Sequence, residues 1–241
     1  MIKKIIRQIR TLAQKSFLGY ESEVLTFSQA GEDLVVRNFF YDRLSRGGKG
    51  FFVDIGAYHP YRHSNTYYLY RAGWRGLNID ARPGSMKLFN KLRPEDINLE
   101  VAVGETEGVS KYYDFGDKDS ALNTTSEKYI EKLGMSERVQ KEHAVETKTL
   151  STIFDLYLPR KLEIDFLSID IEGLEEKVLR TNDWSRYSPT LLACEIYGDS
   201  LAEIADAPVS NLLVANGYQI FARLNLAMPK VNTVFFVRSR K

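Results

Sequence analysis

The chain alternates short apolar runs with longer stretches whose apolar positions recur every three or four residues. Four of the runs, "FFVDI" (51–55), "GLNID" (76–80), "IDFLSID" (164–170) and "TLLACEI" (190–196), are too short for helices and read as buried strands. Each carries an acid at or next to its end: Asp54, Asp80, Asp170 and Glu195. "INLEVAVG" (97–104) reads as one further strand. Helical spacing falls between the strands: 28–44 from the cap candidate Ser28, 64–73 capped by Ser64 and stopped by Gly73, then 83–92, 150–158, 173–180 and 207–217. Such alternation predicts an α/β fold with a mostly parallel sheet and helices on both faces. "YQIFARL" (218–224) and "NTVFFVRS" (232–239) are joined by a short connection, which makes them an antiparallel hairpin at the C-terminal end.

Two segments depart from this rhythm. Residues 114–145 are polar with weak periodicity, and are expected to leave the sheet as an insertion; one this long acts as a lid or binding element, or is mobile. At the other end, Ile2, Ile5, Ile6, Ile9 and Leu12 share a helical face, with Lys3, Lys4, Arg7, Arg10 and Lys15 between them. A basic amphipathic helix over about 1–20 is therefore expected, with a linker to residue 27 and a single domain over 28–241. A helix of this kind docks on its own domain or on a partner chain, or lies on an anionic membrane surface. It has no unbroken apolar core and no small-residue cleavage site of a signal peptide, and no run in the chain approaches the roughly 18 apolar residues of a membrane span. The expected location is the cytoplasm, in solution or peripheral to the inner membrane face.

Composition narrows the function. The 33 basic and 32 acidic residues nearly cancel, so no whole-chain field marks a nucleic-acid binder. The one cysteine, Cys194, lies in an apolar run; it excludes an intrachain disulfide and a cysteine-based zinc site, and fits a reducing compartment.

Ligands of open parallel sheets bind at the carboxyl ends of the strands, so Asp54, Asp80, Asp170 and Glu195 are expected to converge on one edge. A single such acid can equally cap the next helix. A dinucleotide would need a glycine-rich turn and no anion beside its pyrophosphate; "DIGAYHPYRHSNT" (54–66) offers one glycine, Gly56, and places Asp54 in the turn. No phosphate-binding G-x-x-x-x-G-K-[ST] loop occurs either. S-adenosylmethionine fits better, because it has no phosphate, bears a sulfonium and an ammonium, and presents a ribose diol to a carboxylate. Asp54 would face the methionine end, Gly56 would admit close backbone approach, and Asp80 would hold the ribose.

"SQAGEDLVV" (28–36), "GFFVDIGAYHPYRHSNTYYLYRAGWRGLNIDARP" (50–83), "VAVG" (101–104) and "IDFLSIDIEGLEEKVL" (164–179) together resemble the blocks of FkbM-family S-adenosylmethionine-dependent methyltransferases. The resemblance implies a Rossmann-like class I methyltransferase fold with a seven-stranded sheet, and O-methylation, often of sugars in glycans or secondary metabolites. By carry-over, Asp54, Gly56 and Asp80 belong to the cofactor site and Gln29 and Glu32 border it. Asn65 and Thr66 would contact the methionine end, and the segment after Glu100, at Val103, the adenine.

Methyl transfer to a hydroxyl also requires loss of a proton, by one of two routes. A general base could be Asp170 or one of the histidines in the loop after the first strand, His59 and His63. Alternatively Asp170, Glu172 and Glu195 could hold Mg²⁺ or Mn²⁺, which lowers the hydroxyl pKa; for Glu172 the competing reading is a charge at the start of the next helix. Tyr58 and Tyr61 are candidate sugar contacts, whereas Trp74 reads as a packing anchor. The acceptor is expected to be a small molecule or glycan, and an oligomer is compatible with the sequence. Two other functions stand beside this one: a nicotinamide-dependent oxidoreductase with an aberrant loop, and an inactive methyltransferase-like scaffold.

Overall fold

The computed structural model describes residues 24–116, 122–132, 134–159, 161–226 and 230–239; the basic helix expected over 1–20 lies outside them. Seven strands form the main sheet: β1 (Phe51–Ile55), β2 (Arg75–Asp80), β3 (Ile97–Glu100), β7 (Phe166–Ile169), β8 (Leu191–Tyr197), β9 (Tyr218–Asn225) and β10 (Val231–Arg238). Their order is β3-β2-β1-β7-β8-β10-β9. Neighbours from β3 to β8 pair in parallel, and β10 runs antiparallel to both β8 and β9. The order reverses between β1 and β7, which opens the crevice where open α/β sheets bind ligands.

Alternation along the strands builds a core on each face. Val53 and Ile55 join Ile153, Phe154 and Leu213 on one side, from helices α6 (Leu150–Tyr157) and α9 (Pro208–Ala215). Phe52 joins Val36, Leu69 and Trp74 on the other, under α1 (Glu32–Phe39) and α3 (Tyr67–Arg71). Trp74 is fully buried and donates its indole N–H to the Gly48 carbonyl, the anchor role expected of it. Cys194 is buried in β8.

Several boundaries differ from the pattern reading. The helix expected from Ser28 begins at Glu32, after Gly31 in the left-handed region (φ 96°); Ser28 Oγ is bound to Asp33 instead. "INLEVAVG" splits at Val101. After β3 the chain leaves the main sheet, and β4 (Ala102–Val103) pairs with Thr147 and Lys148. This starts a second, three-stranded sheet of β4, β5 (Gly108–Asp114) and β6 (Lys141–Lys148). The insertion is thus largely an ordered arm, with helix α5 (Glu127–Lys132) and its own small core of Tyr113, Phe115, Ile130 and Met135. Among the described residues no helix is long and apolar enough to cross a membrane.

Candidate active site

Gly56 follows β1 at φ 78°, and a Cβ there would lie 1.7 Å from the Asp170 carbonyl oxygen. Backbone conformation and the close pass of β1 and β7 therefore both demand glycine. Beside it a cavity opens. Asp80 at the end of β2, Ala81 after it, and Val101 to Val103 form one wall; Tyr112 and Asn123 to Thr125 close it from the arm. Asp80 is oriented by two backbone amides, of Arg82 to Oδ1 and of Tyr58 to Oδ2, each at 2.8 Å. Each oxygen keeps a free lone pair for a diol. Burial holds the Asp80 pKa above the usual carboxylate value, against the pull of these amides.

A second cavity continues from the first and shares Gly56, Asp80, Tyr112, Asn123 and Asp170 with it. His63, Arg82, Glu172 and Glu195 also face it. Next to it, a smaller pocket gathers Gln29, Glu32 and Asn65 around His63, Asp170 and Glu195. Asn65 is held there by a bond from its Nδ2 to Ser168 Oγ (3.0 Å), and Glu32 by Ala30 N (2.8 Å) and Thr233 Oγ1 (3.3 Å).

Asp170, Glu172 and Glu195 each present an oxygen within 4.8 Å of the others. Three carboxylates so close cannot all ionise without a cation. Burial, relieved in part by a hydrogen bond from the Glu195 carboxyl, leaves Asp170 above its ordinary value. Glu195 is pushed much higher, by burial and then by the Asp170 charge. Glu172 is raised to about 8, by burial first and the Asp170 charge second. Glu195 is only 9% exposed, yet among the described residues its Oε1 has no hydrogen-bond partner. Buried acceptors are almost always satisfied, and an orphan facing two further carboxylates is what a hard divalent cation would complete. The residues present therefore fit Mg²⁺ or Mn²⁺.

Glu172 owes its direction to the backbone and the arm. It lies in the left-handed region (φ 55°), its carbonyl accepts Thr124 Oγ1, and its Oε2 accepts Tyr129 Oη at 2.5 Å. The amides ahead of helix α7 (Glu175–Arg180) are taken by Glu175, which accepts from Ile171 N and Gly173 N, so Glu172 is not spent at the helix start.

Asp54 is placed differently from the other strand-end acids. It precedes the last residue of β1, accepts Thr66 Oγ1 at 2.6 Å, and lines none of these cavities. Burial raises its pKa to about 6, against the Thr66 bond and the Arg93 charge. Arg93, fully buried, also donates to Thr66 Oγ1 (2.9 Å), Ser64 Oγ (2.8 Å), Asn78 Oδ1 (3.1 Å) and the Pro60 carbonyl (2.7 Å). Asp54, Thr66 and Arg93 thus tie the loop after β1 from beneath. The loop's histidines diverge. His59 Nδ1 accepts the amides of Tyr61 and Arg62, and burial with neighbouring arginines lowers its pKa to about 4. His63, at φ 50°, stacks on Tyr58 and faces the carboxylates.

Sequence reasoning missed Arg82, Arg93, Tyr112, Asn123 and Tyr129. The alternating "GVSKYYD" (108–114) was the available signal for the arm; Arg93, in "NKLRPED", looks like a solvated helix end.

Residues 54–220 match the methyltransferase FkbM domain. The chain belongs to this family. Strand order and C-terminal hairpin agree with it, so the FkbM protein has the class I S-adenosylmethionine-dependent methyltransferase fold. Similar solved structures include a putative type 11 methyltransferase from Sulfolobus solfataricus, at 13% identity and TM-score 0.43, over 89% of this chain and 95% of that one. Another is magnesium protoporphyrin IX methyltransferase from Synechocystis PCC 6803 with bound SAH, at 12% identity and TM-score 0.46, over 98% and 100%. No curated protein sequence matches the chain.

Proposed function

We propose that this FkbM-domain protein is an O-methyltransferase that acts on a hydroxyl of a sugar, nucleotide-sugar or glycan. The observation that carries the reading is the convergence of Asp170, Glu172 and Glu195 in a cavity continuous with the one at Asp80. A hydroxyl acceptor needs acceptors for its proton, and several oxygens there suit a polyol. Bound S-adenosylmethionine supplies an electrophilic methyl group, and a bound divalent cation a lower hydroxyl pKa. Asp80 binds the ribose diol, while the Gly56 backbone admits the cofactor chain. Asp170 or His63 would accept the hydroxyl proton as the acceptor oxygen takes the methyl group. The arm residues Tyr112 and Asn123 exclude water from this junction.

Methyl incorporation from labelled S-adenosylmethionine, screened across nucleotide-sugars and glycans, tests the proposal; labelling confined to nitrogen acceptors would overturn it. Chelation is expected to abolish turnover with S-adenosylhomocysteine affinity unchanged. Full activity after exhaustive chelation would assign the proton to Asp170 or His63 without a metal. Stabilisation by NAD(H) in place of S-adenosylhomocysteine would favour an oxidoreductase, and stabilisation by neither a scaffold.

A further inference from the structure

The second cavity holds a cation that methyl transfer to a neutral hydroxyl does not require. Arg82 comes two residues after the end of β2. Its backbone N–H is committed to Asp80, and its side chain faces the second cavity, whereas Ala81 faces the first. The residue is half-buried, and among the described residues its guanidinium makes no ion pair or hydrogen bond. Other arginines of the fold are engaged: Arg43 with Asp165, Arg93 with the loop, Arg186 with Asp155 and Arg223 with Asn232. Asp80, whose oxygens accept the amides of Tyr58 and Arg82, is a neighbouring charge and not a hydrogen-bonded partner of the guanidinium. The Asp80 charge acts on this guanidinium without a direct bond, which leaves its planar donor fork open, and that fork matches a carboxylate or phosphate.

The position argues for the acceptor over the cofactor. The only anionic group of S-adenosylmethionine is at its methionine end, away from the ribose that Asp80 would hold, and Arg82 does not line the pocket of Gln29, Glu32 and Asn65. The cavity that Arg82 enters extends instead to Glu172 and Glu195. We propose that Arg82 binds an anionic group, carboxylate or phosphate, on the acceptor, so that this cavity selects an acidic sugar whose hydroxyl reaches the carboxylate cluster. The assignment rests on the reading of the second cavity as the acceptor site.

The test is titration by saturation-transfer NMR, on the full chain with saturating S-adenosylhomocysteine, of glucuronate and glucose 6-phosphate, with glucose as the neutral control. The two acids distinguish carboxylate from phosphate. Wild type is expected to bind at least one acid more tightly than glucose. Arg82→Gln should weaken that acid at least tenfold, Arg82→Lys should recover part of the loss, and S-adenosylhomocysteine affinity, measured by calorimetry, should stay within twofold. Equal acid binding by wild type and Arg82→Gln would overturn the proposal, as would no preference for either acid in wild type. A matching loss of S-adenosylhomocysteine affinity would reassign Arg82 to the cofactor. Failure of S-adenosylhomocysteine to bind wild type would overturn the underlying reading as well, an outcome distinct from the others.

Discussion

Asp80 and Asp54 are both aspartates of parallel strands, and their surroundings give them different work. Asp80 is fixed by two amides at the edge of a cavity, and Asp80→Ala would remove charge-assisted bonds to a ribose. It is expected to weaken S-adenosylhomocysteine binding by about 1.5–3 kcal/mol, read by calorimetry; unchanged affinity would remove Asp80 from the site. Asp54 is buried under the loop, with its pKa raised from 3.8 to about 6. The folded protein therefore holds this proton more tightly than the unfolded chain, and its contribution to stability, present at low pH, is lost as pH rises through that interval. Asn at position 54 can still accept from Thr66 but does not ionise. The melting temperature of Asp54→Asn, relative to wild type, should accordingly rise between pH 4 and pH 7; a pH-independent difference would refute the assignment.

At the scale of elements, the site depends on two irregular segments held by single side chains. Arg93, at the C-terminal end of α4 (Met86–Leu92), anchors the loop between β1 and α3. Arg93→Met would leave Asp54 and Asp96 buried without their cation, at a cost of about 3–5 kcal/mol in denaturant unfolding. The arm is latched at its other side by Tyr129, whose hydroxyl meets Glu172 and lies 2.7 Å from Tyr197 Oη. Tyr129→Phe should raise hydrogen exchange across 122–132 and leave the protection of β1 and β7 unchanged. Equal acceleration in the sheet would show that Tyr129 supports the whole domain and not the arm.

For the molecule as a whole, a cofactor that binds only the folded state at the sheet's switch point must stabilise it by mass action. S-adenosylhomocysteine at a hundred times its Kd should add about 2.7 kcal/mol to the unfolding free energy, and NAD(H) nothing. Much of this architecture was legible in the chain. The apolar runs ending in acids specified the parallel strands, because burial on both faces needs continuous apolar segments and the acids fall near the carboxyl ends where open sheets bind ligands. The pairing of Asp170, Glu172 and Glu195 was readable from strand order, because β7 and β8 are neighbours. Other features were set by contacts distant in sequence. Asp54 and Asp80 are both aspartates late in a strand, but Asp54 sits in register with Asn78, short of the strand end, and packs against Thr66 and Arg93. Nothing local to "NKLRPED" distinguishes a buried guanidinium from a solvated one, and nothing local to residues 114–145 says that an arm folds back over the sheet. Periodicity determined the elements and their order, since it records which face each residue buries; tertiary structure decided which charges are partnered, since that depends on neighbours tens of residues away.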